Sequence, residues 1–139
     1  MSAIMPTYGR LPVTFASGAG ALLTDQKGRQ YLDALSGIAV TNLGHSHPNV
    51  TRAVIEQAES LLHTSNLYGI AQQERLAAEL NQLTGMERIF FCNSGAEANE
   101  TAIKMARRHG HNKGIANPQI VVLEGAFHGI TMGALSATG

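Results

Sequence analysis

The sequence is short of several things, and each shortage narrows the reading. Its 139 residues carry no net charge, with 10 basic side chains set against 10 acidic ones. A nucleic-acid binder normally has a basic surplus and a polybasic membrane patch needs one, so neither class is expected. The stretch from Met1 to Arg10 lacks a basic segment followed by an apolar run, so it does not read as a signal peptide. No apolar stretch is long enough to span a bilayer. There is one cysteine, Cys92, which cannot form an internal disulfide. Together these fit a reducing cytoplasm. Lysine is also scarce: only Lys27, Lys104 and Lys113 are present.

What the sequence does have is a globular composition, 44% hydrophobic and 14% charged. Val13 to Ala16 and Ala21 to Thr24 read as short strands separated by the turn residues Ser17 to Gly20. A second turn at Asp25 to Gly28 leads to Gln30–Asp33, which suggests a small meander. Pro48 suits the first turn of a helix whose face is Val50, Ala53, Val54, Ala58, Leu61 and Leu62. A second helix is expected from about Gln72 to Thr84, with Gly85 as its stop. Arg88 to Cys92 and Ile120 to Leu123 are apolar runs without alternation, the pattern of strands buried on both faces. They flank an expected helix from Gly95 to about His109 whose inner side is Ala102, Ile103 and Ala106. Strand, helix, strand is a βαβ unit, and the architecture expected is α/β with a mostly parallel sheet. Cys92 reads as a small buried hydrophobe and Glu100–Lys104 as a surface ion pair.

Asn93 to Glu100 stands between the first buried strand and the helix, where open α/β sheets bind ligands. Gly95 would let a ligand approach the backbone, and the first helical N–H groups have no intrahelical partner. A phosphate satisfies such donors and the positive end of the helix dipole. The same residues support another reading, since Ser94-x-x-Glu97 is the pattern of a capping box. Physics alone leaves both open. His45 and His47 sit beside a turn and a proline with no cysteine or carboxylate at ligand spacing, so no metal site is expected there.

The wording of five blocks adds a resemblance. The string from Phe91 to Glu100 resembles the cofactor-phosphate segment of the class III aminotransferases, and Phe127-His128-Gly129 resembles their aromatic-His-Gly loop. Leu35 to Val40, Leu43 to Pro48 and His63 to Tyr68 resemble further family segments, in the same order and at similar spacing, so that the likeness covers about residues 6–139. Its nearest look is to acetylornithine-type members.

The resemblance implies an α/β fold of type I, the pyridoxal-phosphate-dependent transferase fold, truncated within its large domain. Residues 1–70 would contribute to the small domain and dimer contacts, and residues 71–139 would begin the large cofactor-binding domain. It implies pyridoxal 5'-phosphate held by Ser94, Gly95 and Ala96, with Phe127 against the pyridine ring and His128 orienting the loop. On the residues alone, Phe127 would be a core aromatic and His128 a structural or surface histidine. The implied reaction moves an amino group between N-acetylornithine, or a related donor, and 2-oxoglutarate in arginine biosynthesis, in a homodimer. Ornithine, succinylornithine and 4-aminobutyrate enzymes share much of the pattern. A non-catalytic phosphate-binding α/β module is the competing class.

The sequence departs from the family pattern at Ile130, where acetylornithine-type members usually carry an arginine for the substrate carboxylate. The family's lysine that links to the cofactor aldehyde, and its aspartate at the pyridine nitrogen, would both lie beyond Gly139. Lys104 is no replacement, because it lies about 13 Å along the helix from Gly95. No catalytic residue is therefore assigned, and these 139 residues alone are expected to be inactive and poorly folded.

Overall fold

The computed structural model describes residues 3–139. The chain divides into two compact units, Met1–Tyr68 and Gly69–Gly139.

In the first unit the expected meander forms, with β1 (Phe15–Ala19), β2 (Leu22–Asp25) and β3 (Gln30–Leu32) in an antiparallel sheet of order β1-β2-β3. β1 starts and ends later than the sequence suggested, so Ser17, Gly18 and Ala19 are strand residues. The hairpin turns at Gly20, with φ +55. The β2–β3 turn is organised by the buried carboxylate of Asp25. Its Oδ1 accepts from the N–H groups of Lys27 and Arg29 at 2.8 and 2.9 Å. Its Oδ2 accepts from Arg29 Nε at 2.8 Å and from the Tyr31 hydroxyl at 3.1 Å. Tyr31 also meets Phe15 edge to face, with ring centroids 5.4 Å apart.

After β3 the backbone does something that periodicity does not announce. Ser36–Ala39 (α1) is a single turn wound left-handed, with φ of 52, 62, 62 and 61 at Ser36, Gly37, Ile38 and Ala39. The turn is closed by Val40 N donating to Ser36 O at 2.8 Å and Ala39 N to Leu35 O at 3.1 Å. Each L-residue in this form costs about 1–2 kcal/mol, so the three that are not glycine carry roughly 3–6 kcal/mol of strain. α2 (Pro48–Ser60) follows, with Pro48 in its first turn as expected.

The second unit holds α3 (Ala71–Thr84), α4 (Gly95–Asn112) and α5 (Met132–Ser136). Gly85 ends α3 at φ 70, and its N–H donates to Asn81 O at 2.9 Å. α4 runs three residues further than His109, where a loop was expected, and the short α5 had no signal in the periodicity.

The two buried strands expected beside α4 are corrected. Residues 88–92 and 120–123 enter no sheet among the described residues, and Phe90, Val121 and Leu123 are 64%, 95% and 81% exposed. A strand is defined by its ladder partners, and neither segment has a neighbouring strand beside it. Cys92 is accordingly exposed rather than buried. The side of α4 expected to face inward does so in part, since Ala102, Ile103 and Ala106 line an open apolar groove of about 420 Å³ together with residues 120–123.

Burial raises the pKa of Asp25, but the Arg29 and Lys27 N–H groups, the Arg29 guanidinium and the Tyr31 hydroxyl outweigh it. The net result is a drop from 3.8 to about 2. A depressed carboxylate pKa stabilises the fold above the unfolded value and loses that contribution as pH falls through the folded one. Stability should therefore decline between about pH 4 and pH 2 through this group. Asp25→Asn should lower stability at neutral pH and flatten that acid limb, as read by urea denaturation across pH 2–7. An unchanged slope would show that the turn does not depend on the charge.

Candidate functional site

Ser94 is the N-cap of α4, in extended conformation at φ −154 and ψ 160, and its Oγ accepts from Glu97 N at 3.2 Å. The returning arm of the capping box reaches one residue further back than expected. Glu97 Oε2 accepts from the backbone N–H and the side-chain amide of Asn93, at 2.7 and 3.2 Å. The cap thus uses the N–H groups of Glu97 and Asn93. It leaves those of Gly95 and Ala96 without an acceptor, at the positive end of an 18-residue helix. Nothing lies within 4 Å of where a Cβ on Gly95 would stand.

The loop from Phe127 to Ile130 is brought to the same place by close packing. Gly129 has φ +126, and a Cβ there would stand 2.8 Å from Ala96 Cβ and 3.2 Å from Ala96 Cα and Ala134 Cβ. Only a glycine fits against the first turn of α4 in this way. The loop is then tied down at its carbonyls and amides. Asn99 Nδ2 donates to His128 O at 2.7 Å, and His128 N donates to Thr138 Oγ1 at 3.1 Å. The His128 Nδ1 is enclosed without a hydrogen-bond partner. Phe127 and Ile130 flank this anchor and stand 76% and 81% exposed.

Ser94, Gly95, Ala96, Phe127, His128 and Ile130, named from the sequence, all lie in this second unit. The close approach of Gly129 to Ala96 sets the aromatic-His-Gly loop against the start of α4. Sequence reasoning missed two supports. Asn99 was passed over, although it sits inside the string that carries the resemblance. Glu100 was given Lys104 as its partner, and this is corrected. Its Oε1 accepts from Gly133 N and Ala134 N at 2.9 and 3.2 Å, capping α5. The Thr131 hydroxyl, then the Ala134 N–H, hold its carboxyl below the usual range against the pull of burial. Lys104 is exposed midway along α4, and Lys113 is the C-cap at the far end, so neither lysine approaches the free donors.

The start of α4 thus has two N–H groups without an acceptor, and the adjoining anchored loop carries an exposed aromatic. The chain belongs to the class-III aminotransferase family, whose model matches residues 4–139. These are pyridoxal-phosphate-dependent enzymes, and the fold is that of their α/β transferases. The chain is similar to the acetylornithine aminotransferase of Nitrosomonas europaea, 60% identical over 139 residues, which are 100% of this chain and 35% of that protein. Among solved structures it resembles the N-acetylornithine aminotransferase of Stenotrophomonas maltophilia at a TM-score of 0.80 and 43% identity, covering 88% of this chain and 34% of that one. An amine transaminase from an uncultivated Pseudomonas species, solved in its PLP-bound form, matches at a TM-score of 0.83 and 29% identity, covering 100% of this chain and 32% of that one. The chain therefore spans about a third of the length of the relatives it matches.

Gly129→Ala tests the packing that assembles the site. The added methyl meets Ala96 and forces a left-handed φ on an L-residue, so stability should fall by about 1–3 kcal/mol. Urea denaturation of the full-length protein measures it. A loss within error would mean that loop and helix are not held at this distance.

Proposed function

We propose that this chain supplies the phosphate cradle of a transaminase that moves an amino group from N-acetylornithine, or a related ω-amino donor, to 2-oxoglutarate. The observation that carries the reading is the pair of unpartnered N–H groups at Gly95 and Ala96, at a helix start that the Gly129 contact sets against the Phe127–Ile130 loop. The residues fit pyridoxal phosphate. Gly95 and Ala96 would donate to its phosphate, and the Ser94 hydroxyl, whose oxygen already accepts from Glu97, keeps its proton free to donate. Phe127 would lie against the ring, which is worth about 0.5–1.5 kcal/mol beyond area burial. His128 holds the loop through its backbone bonds to Asn99 and Thr138. Bound pyridoxal phosphate supplies an electron sink for the bond broken at the donor's amino-bearing carbon. The part of these residues is to bind, orient and shield the cofactor.

The donor and the arginine-biosynthesis setting rest on the names of the relatives. A cytoplasmic homodimer, with residues 1–70 in the small domain and at dimer contacts, is part of the same reading. No helix among the described residues is long and apolar enough to cross a membrane. Ile130, exposed beside the anchored loop, offers a carboxylate neither charge nor a hydrogen-bond donor. Either a residue other than Ile130 holds the donor carboxylate, which is the reading favoured here, or the amino donor is a different one.

Two variants of the full-length protein test this. Gly95→Asp keeps the helix, because its side chain meets nothing and an acidic residue suits a helix N-terminus. Its charge near a bound phosphate costs roughly 1–4 kcal/mol at about 4 Å, so pyridoxal phosphate should bind at least about tenfold more weakly. Unchanged affinity in a fluorescence titration would place the phosphate elsewhere. Ile130→Arg should lower the KM for N-acetylornithine about tenfold or more, since a charge-assisted hydrogen bond is worth roughly 1.5–3 kcal/mol. No change, or a rise, would mean that position 130 does not face the donor.

A further inference from the structure

One face of α4 receives the chain that follows it. Ala96, Asn99, Glu100 and Ile103 recur at helical spacing and are half-buried, whereas Glu97 and Ala98 between them are exposed. The segment lying on this face touches it at matching intervals. Gly129 packs on Ala96, and Gly133 packs on Glu100, each pair one helical step beyond the last. A Cβ on Gly133 would stand 2.9 Å from Glu100 Cδ, so the carboxylate occupies the place of a side chain there.

Between these contacts stands α5, five residues long and too short to hold a helical form unaided. Its own N-cap, Thr131, makes no side-chain capping bond. The cap comes from α4, where Glu100 Oε1 accepts from Gly133 N and Ala134 N at 2.9 and 3.2 Å. Past the other end of α5, Thr138 turns back to the loop. Its Oγ1 accepts from His128 N at 3.1 Å and shares its proton between Ala134 O at 3.0 Å and Gly129 O at 3.3 Å. Ala134, fully buried, fills the space between. The short helix is thus a strut. Glu100 fixes its start, and Thr138 carries its end to His128 and Gly129, which Asn99 holds from the helix side at 2.7 Å. These bonds join α4 to residues 29 to 34 positions away, so they are tertiary and not local.

We propose that Glu100 is a positioning residue for the cofactor loop: acting through α5 and Thr138, it sets His128 and Gly129, and with them Phe127, against the start of α4 before pyridoxal phosphate binds. The cofactor clause rests on the transaminase reading above, whereas the strut does not. Loss of the cap should let α5 fray and free the loop, so that binding must reorder it. Asn99 and Glu100 hold the same loop, so losing either frees it and the second loss adds little.

The test uses the full-length protein, freed of cofactor and titrated with pyridoxal phosphate. Glu100→Ala should raise hydrogen exchange at the Gly133 and Ala134 amides, and also at the distant His128 amide, by about tenfold or more. Pyridoxal phosphate should bind it about five- to tenfold more weakly. Glu100→Gln, whose Oε1 can still accept both N–H groups, should keep exchange low and affinity within about twofold of wild type. Asn99→Ala should weaken binding similarly, and the double variant should lie within about twofold of the weaker single one. Exchange raised at Gly133 and Ala134 but not at His128 overturns the strut, since Glu100 would then only cap α5. Raised exchange at all three with unchanged affinity overturns the positioning role, and losses that multiply in the double variant overturn the shared hold. A wild-type protein that does not bind pyridoxal phosphate sinks the cofactor reading, while exchange still decides the strut. Should Glu100→Ala not fold, Glu100→Asp, one methylene short of the α5 amides, should show both changes to a smaller extent, and wild-type values there would overturn the proposal.

Discussion

The site depends on one close approach, that of Gly129 to Ala96. A loop that must lie this near a helix start cannot carry a side chain at the contact, and Gly129 is the residue that allows it. Everything polar in the site is then arranged around a steric fact. Asn99, one turn along α4, is at the right height to hold His128 O, and Glu100 caps the short helix that follows the loop. Phe127 and Ile130 bracket the contact, so their positions are inherited from it. A single close contact thus fixes where the loop that carries Phe127 and the start of α4 stand relative to each other.

Capping and phosphate binding were alternatives in the sequence, and the structure makes them compatible. A helix start has four N–H groups without intrahelical partners. The capping box consumes the one at Glu97 and, through the Glu97 carboxylate, the one at Asn93 just before the helix. Those of Gly95 and Ala96 remain, and they adjoin the position with no side chain. The Glu97 charge also turns back toward Asn93 instead of out over the free donors, where it would oppose an anion. A cap of this form makes the helix start rigid without filling it.

How much could be read in advance follows from the range of the interactions. Pro48, Gly85 and the Asp25–Gly28 turn act within a few residues, and the elements they predict are found. The strands expected at 88–92 and 120–123 depend on partners far away in the chain, and the apolar pattern alone did not supply them. Cys92 was misplaced for the same reason, since its burial was inferred from that of the strand. Glu100 was assigned by helical spacing to Lys104, but two backbone N–H groups 33 and 34 residues on outcompete an exposed lysine. The left-handed turn had no signature at all. Ser36, Ile38 and Ala39 are ordinary L-residues, and the one local support at their entry is the Ser36 N–H donating to Asp33 Oδ1, three residues back.

The same distinction separates what is finished in this chain from what is not. Its polar geometry is closed by hydrogen bonds made within each unit: Asp25 at its turn, Asp33 with His45, and Asn99 and Glu100 beneath the loop. Its apolar surface is not. Although 44% of the residues are hydrophobic, Ala134 and Ala137 are the buried ones among the described residues. Hydrogen bonds of this kind give direction but modest net stability, whereas burial of apolar area supplies most of the driving force. Part of that exposed area lines the groove beside α4, with Ile103, Ile120 and Leu123. A strand buried on both faces needs neighbours in its sheet and a layer over each side. The start of α4 and the loop against it are therefore specified by residues close to them, through the Gly129 contact and the hydrogen bonds of Asn99 and Glu100.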